Sequence, residues 1–216
     1  MKKIAVILSG SGHKDGSEIT EAVSTLIALR QNDAEPFCFA PNIDVEEINH
    51  LTGKPTGQKR NVLAEAARIA RGQVQDLNSL VAKDFDGIIF IGGYGAAKNL
   101  SDWASKGAKA TVNTDAERVI KSFYELSRPI GAICIAPHLV AKVLGSSHVE
   151  LTIGNDKETA QEIEKTGAQH VECPVTDYIT DRQHKVVTTP AYMYNTTPDK
   201  VFQGISGLVK EIVEMA

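Results

Sequence analysis

The sequence predicts a single α/β domain built on a mostly parallel sheet with helices on both faces. Three observations carry this. Short β-rich apolar runs alternate with helical patterns along the chain. The 216 residues are enough for one well-buried α/β domain and few for two. No internal repeat, low-complexity tract or linker interrupts the alternation.

The first strand is KIAVIL (3–8), and the helix after it carries Ile19, Ala22, Val23, Leu26 and Ile27 as an apolar stripe. PFCFA (36–40) is a second strand, and VLAEAARIARG (62–72) an Ala-rich helix ended by Gly72. DGIIFIGG (86–93) runs as a strand into a glycine pair. TDAERVIKSFYELSR (114–128) opens with a Thr114–Glu117 capping box and buries Ala116, Val119, Ile120 and Phe123. PIGAIC (129–134) is a fourth strand, followed by the short helix PHLVAKVLG.

Farther on, 149–153, 168–173, DYIT and KVVTT read as short strands, the last two joined by DRQH. A final helix over 198–215 has Pro198 in its first turn and a Val201, Ile205, Leu208, Val209, Ile212 stripe. The polar stretches 41–60 and 94–113 are expected to be surface excursions.

Composition excludes several classes of function. A net charge of −4 and scattered Lys and Arg argue against nucleic-acid or anionic-membrane partners. No apolar run approaches the ~20 residues of a membrane span. The apolar run that opens the chain is below the ~7–15 residues of a signal core, so a cytoplasmic protein is expected. Three cysteines, Cys38, Cys134 and Cys173, with no CxxC or Cys/His cluster, predict neither a disulfide framework nor a zinc site.

Three stretches could carry chemistry. In GAICIAPH (131–138) a strand stops abruptly before a helix, which puts Cys134 at the carboxyl edge of the sheet. A nucleophile elbow has this form, and a helix N-terminus beside it favours thiolate. A small buried core cysteine is the competing reading, and the residues alone leave both open. In IGGYGAAKNL (91–100), Gly92 and Gly93 can aim backbone amides at an anion, or serve only as a tight turn. In SGSGHKDGSEITEA (9–22) the glycine spacing is wrong for a dinucleotide loop. Glu18 lies there at the start of a helix, either facing the site or completing an Asp15–Glu18 capping box. Asn99 and His138 are further candidates for the pocket wall. No Cys-His-acid triad is visible, because His138 is four residues on, one helical turn inward, and His148 and His170 fall in loop or strand contexts.

The motifs ILSGSGHKDGSEITEA, GGYGAAKNL, GAICIAPH, LTIGND and VVTTPAYM, in this order, resemble the ElbB-type proteins over residues 3–215. That group carries the label isoprenoid-biosynthesis protein with an amidotransferase-like domain, is also described as a glyoxalase, and lies within the PfpI and class-I glutamine-amidotransferase-like superfamily. The resemblance implies a flavodoxin-like three-layer α/β/α sandwich with Cys134 on a nucleophile elbow. It implies a helix-borne glutamate bonded to the thiol, by motif position Glu18, and oxyanion donors at Gly92–Gly93 and Ile135. A homodimer is implied as well.

The expected activity is then a cofactor- and metal-independent conversion of glyoxal, or a similar small 2-oxoaldehyde, to the hydroxy acid. Cys134 forms the hemithioacetal and Glu18 shuttles protons. The alternatives are a non-enzymatic redox sensor or binding protein centred on Cys134, and, more weakly, a glutaminase subunit. Ile135, standing where a triad histidine belongs, counts against the last.

Overall fold

The computed structural model describes residues 1–216. In chain order it contains β1 Lys2–Ile7, α1 Ile19–Gln31, β2 Ala34–Ala40, β3 Asp44–Ile48, β4 Pro55–Asn61 and α2 Val62–Ile69. Then come β5 Val74–Asp76, β6 Gly87–Phe90, α3 Tyr94–Lys98, α4 Trp103–Lys106, α5 Thr114–Glu125, β7 Ile130–Ile133 and α6 Pro137–Leu144. The chain closes with β8 Glu150–Leu151, α7 Lys157–Glu164, β9 Gln169–His170, β10 Ile179–Asp181, β11 Val186–Thr189 and α8 Pro198–Met215.

Seven strands form the central sheet in the order β10-β11-β7-β6-β1-β2-β5. Every pairing in it is parallel except the β10–β11 hairpin. Because side chains alternate along a strand, each central strand feeds two cores. Ala5, Ile7, Ile88, Phe90 and Ile130 meet α5 and α6 through Val119, Phe123 and Leu139. Ile4, Val6, Ile89, Ile91 and Ile133 meet α1 and α8 through Ala22, Leu29, Ile205 and Leu208. The result is a flavodoxin-like α/β/α sandwich of the kind the resemblance implies.

Four local expectations are corrected. First, α1 turns three residues of its apolar stripe outward: Ile19, Val23 and Ile27 are 49%, 41% and 46% exposed, while Ala22 stays buried beside Glu21, Ser24, Thr25 and Ala28, and Leu26 packs partly buried against the core. Small side chains let α1 lie close along α8, and the Thr25 hydroxyl is satisfied by donating to the Glu21 carbonyl at 2.8 Å.

Second, 94–113 is no surface excursion. Ala96, Ala97, Leu100, Trp103 and Val112 are part of the core. The stretch 41–60, by contrast, is the largely exposed β3–β4 hairpin.

Third, 149–153 and 168–173 contribute only the two-residue strands β8 and β9, which pair with each other outside the main sheet. Side chains take over there: the amides of Thr152 and Ile153 donate to Thr188 Oγ1 and His170 Nε2. Fourth, α5 is capped by Asn113, whose side chain accepts from the amides of Asp115 and Ala116, and not by a Thr114–Glu117 box.

Candidate active site

Three adjacent strands end at one edge of the sheet, and their following loops build the site. After β7 the chain turns sharply at Cys134, whose φ of +62° lies in the left-handed region that a side chain with a Cβ rarely adopts. The turn is held on both sides: the Cys134 amide donates to Thr189 O of β11 and the Ala136 amide to Ile133 O. Pro137 then opens α6. A strained backbone that its surroundings hold this firmly is the geometry of a nucleophile elbow.

The loops after β1 and β6 are laced together beside it. The amides of Tyr94 and Gly95 donate to His13 O and Gly16 O, and the Glu18 amide to Gly92 O. This close approach requires glycine. A Cβ on Gly93 (φ +91°) would stand 2.5 Å from Glu18 N and Gly16 O. The amides of Gly93 and Ile135 point at the Cys134 sulfur, and neither is consumed by backbone pairing.

The carboxyl group that reaches the thiol is Glu21, not Glu18. Glu18 is the N-cap of α1, and its Oε2 accepts the Glu21 amide at 2.7 Å. The Asp15 carboxylate turns away to accept from the Ile48 amide, so no Asp15–Glu18 box forms. Capping fixes Glu18 at the mouth of α1 and points Glu21, three residues on, into the sheet edge.

Glu21 is completely buried. Its Oε1 meets the Tyr192 amide at 3.4 Å, and its Oε2 has no protein hydrogen-bond donor. Burial first, then the charge of Glu18, push its pKa up to about 8. At neutral pH this carboxyl therefore keeps its own proton.

Burial also raises the Cys134 thiol well above its ordinary range, with Glu21 adding to the shift and the two amides opposing it. The thiolate expected from the helix N-terminus is thus overridden by desolvation. Two anions cannot coexist in this dry space, so thiol and carboxyl titrate as a pair.

Gly92 makes room for the pair. A Cβ there would lie 2.5 Å from both Cys134 Cβ and Glu21 Oε2. Gly92→Ala is therefore expected to cost about 1–3 kcal/mol through overpacking and to force thiol and carboxyl apart. Thermal melting, together with the pH dependence of Cys134 alkylation, checks both effects.

Cys134 and Ile135 line a cavity of about 630 Å³ with His13, Glu18, Gly93, Trp103 and Tyr192 among its walls. Asn99 and His138 are not on that wall. The Asn99 amide group ties Ser9 O to Asp15 O behind the loop, and His138 is buried beneath the elbow. Reading α1 by its apolar stripe hides Glu21, because that reading turns Glu21 toward solvent. The pattern of Ser24, Thr25 and Ala28 on the same face as Glu21 is the sequence signal for the opposite orientation.

Comparisons with known proteins place this geometry. Over 224 residues, 99% of this chain and 83% of the relative, the sequence is 43% identical to a human glutamine amidotransferase-like class 1 domain-containing protein. The chain belongs to the class 1 glutamine amidotransferase-like superfamily.

Within that superfamily it is also 34% identical to the zebrafish ES1 protein, over 98% of this chain and 85% of the relative. A solved structure of an isoprenoid biosynthesis protein with an amidotransferase-like domain from Ehrlichia chaffeensis superposes with a TM-score of 0.94. It shares 35% identity and is matched over 100% of this chain and 99% of that one. No family model matches the sequence. Both sequence relatives are named mitochondrial, which lends no support to the cytoplasmic expectation. No helix is long and apolar enough to cross a membrane.

Proposed function

We propose that this superfamily member is a cofactor-independent glyoxalase acting on glyoxal or a related 2-oxoaldehyde. The observation that carries the reading is the fully buried Glu21 carboxyl set against the Cys134 thiol, with two unpaired amides aimed at the sulfur.

The Cys134 sulfur adds to the aldehyde carbon, and the thiol proton, relayed by Glu21, ends on the carbonyl oxygen as a hemithioacetal. The amides of Gly93 and Ile135 hold that oxygen while its charge develops. Glu18, on the cavity wall, carries the carbon-bound proton of the hemithioacetal carbon to the neighbouring carbon, while the hemithioacetal hydroxyl proton passes to the oxygen of that neighbouring carbon. One carbon is thereby oxidised to a thioester and the other reduced to an alcohol. Water then adds, the C–S bond breaks, the thiol re-forms and glycolate leaves.

The test incubates purified protein with glyoxal in the absence of glutathione and follows glycolate by NMR. Stoichiometric glycolate supports the reading, and glyoxal consumption without glycolate overturns it.

A redox-responsive Cys134 is the second reading. The same Glu21 carboxyl, held beside the sulfur, could donate its proton to a sulfinate oxygen. Selective peroxide-induced mass gain at Cys134 in a protein inert to glyoxal would favour it.

We further propose a homodimer, supported by the outward apolar stripe Ile19, Val23 and Ile27, which a second copy would cover. Sedimentation of Val23→Glu as a monomer against a dimeric wild type supports this, and equal masses overturn it.

A further inference from the structure

The elbow is strained, and beside the backbone bonds that hold it a side-chain tie reaches the Ile135 carbonyl from α6. His138 is buried beneath it at 0% exposure. Its ring Nδ1 lies 2.6 Å from Ile135 O, and its backbone amide lies 3.1 Å from the same oxygen. A carbonyl only accepts, so Nδ1 carries the proton and Nε2 is left as an acceptor. Nε2 receives the Ser101 hydroxyl at 2.7 Å. Ser101 Oγ in turn accepts the Trp103 amide at 3.3 Å, and the Trp103 ring packs on the imidazole at a centroid distance of 4.9 Å. Burial lowers the pKa of His138 to about 4, so near neutrality the ring is uncharged and this tautomer persists.

Ile135 and Trp103 are both walls of the Cys134 cavity, yet they come from loops that follow different strands. We propose that His138 and Ser101 are positioning residues that lock the Ile135 backbone, and with it the amide aimed at Cys134, to the Trp103 wall as one unit. This goes beyond the glyoxalase reading but rests on Cys134 being a reactive nucleophile. Neither residue touches the substrate. They act through the placement of an oxyanion donor; removing one such donor from an acyl-transfer enzyme costs about 100- to 1,000-fold in kcat.

The test uses Ser101→Ala, with Ser101→Thr as the variant that keeps the hydroxyl, and His138→Asn, which keeps a polar side chain of shorter reach. Three readouts are compared: the alkylation rate of Cys134 by iodoacetamide, the emission of Trp103, and kcat and KM for glyoxal. Trp103 is the sole tryptophan, so its emission reports this wall alone.

The expected result for Ser101→Ala is a roughly 10-fold or greater fall in kcat with little change in KM, an altered alkylation rate and shifted Trp103 emission. Ser101→Thr should restore all three. A Ser101→Ala protein that melts earlier but keeps wild-type alkylation, emission and kcat overturns the proposal. If Ser101→Ala does not fold, Ser101→Cys, with its weak donor, is read the same way. If the wild type fails to turn over glyoxal, the alkylation and emission readouts still decide, so the two readings fail separately.

Discussion

Replacing Cys134 by serine is expected to reduce glycolate formation from glyoxal by at least about 1,000-fold, as loss of a covalent nucleophile does in other enzymes. The hydroxyl is smaller and far less acidic than the thiol, and it sits in the same dry space where burial already opposes ionisation. The side chain is nearly inaccessible, 7% exposed at the floor of the cavity, so the substitution changes chemistry with little change in packing. Near-wild-type melting combined with lost turnover is the expected pair of results. Turnover that survives in Cys134→Ser would remove the thiol from the mechanism, leaving Glu18 and the amides as ordinary cavity features.

Glu21→Gln should act on both activity and stability, in opposite directions. The amide has nearly the shape of the acid but cannot give up a proton, so the relay to the hemithioacetal oxygen is lost. A fall of about 100-fold in kcat is expected, within the range general acid–base groups contribute.

Stability moves the other way as pH rises. A carboxyl whose native pKa is raised from 4.5 to about 8 binds its proton more tightly folded than unfolded. Its contribution is fully present below pH 4.5 and is progressively lost as pH climbs through about 8. Glutamine has no such dependence. Glu21→Gln should therefore melt higher than wild type at pH 9, by on the order of 5 °C, with the gap closing toward pH 5. A gap independent of pH would mean that Glu21 is ionised throughout, and the acid role assigned to it would fall.

Most of the architecture is legible in the sequence because it rests on strong periodicity. The runs 3–8, 86–93 and 129–134 are apolar on both faces, and the 198–215 stripe appears as Val201, Ile205, Leu208, Val209 and Ile212, all buried. The α1 helix is where that reasoning fails. Its large residues Ile19, Val23 and Ile27 face out, and its buried face is mostly small or polar, because that face must admit Glu21 to the sheet edge and lie close along α8. Hydrophobicity favours one rotation of the helix and the site requires another.

Glycines mark the site more plainly than charges do. Gly92 and Gly93 occupy the places where backbone and carboxyl approach too closely for any Cβ. The thiol was visible as a candidate, but its partner and its protonation were not, since both depend on burial that a linear pattern does not display. Asn99 and His138, expected on the pocket wall, instead tie loops together from behind.

The Cys134 turn has one more consequence. Its thiol, the Glu21 carboxyl and the Gly93 amide come from segments far apart in the chain, brought together by the β1, β6 and β7 pairings and by the loop bonds beyond them. Unfolded, Cys134 is chemically the same as Cys38 and Cys173, and no fragment lacking one of those strands can make it different. The character of this one sulfur thus reports on assembly: how it titrates in a freshly diluted chain times the moment at which the three strand ends meet.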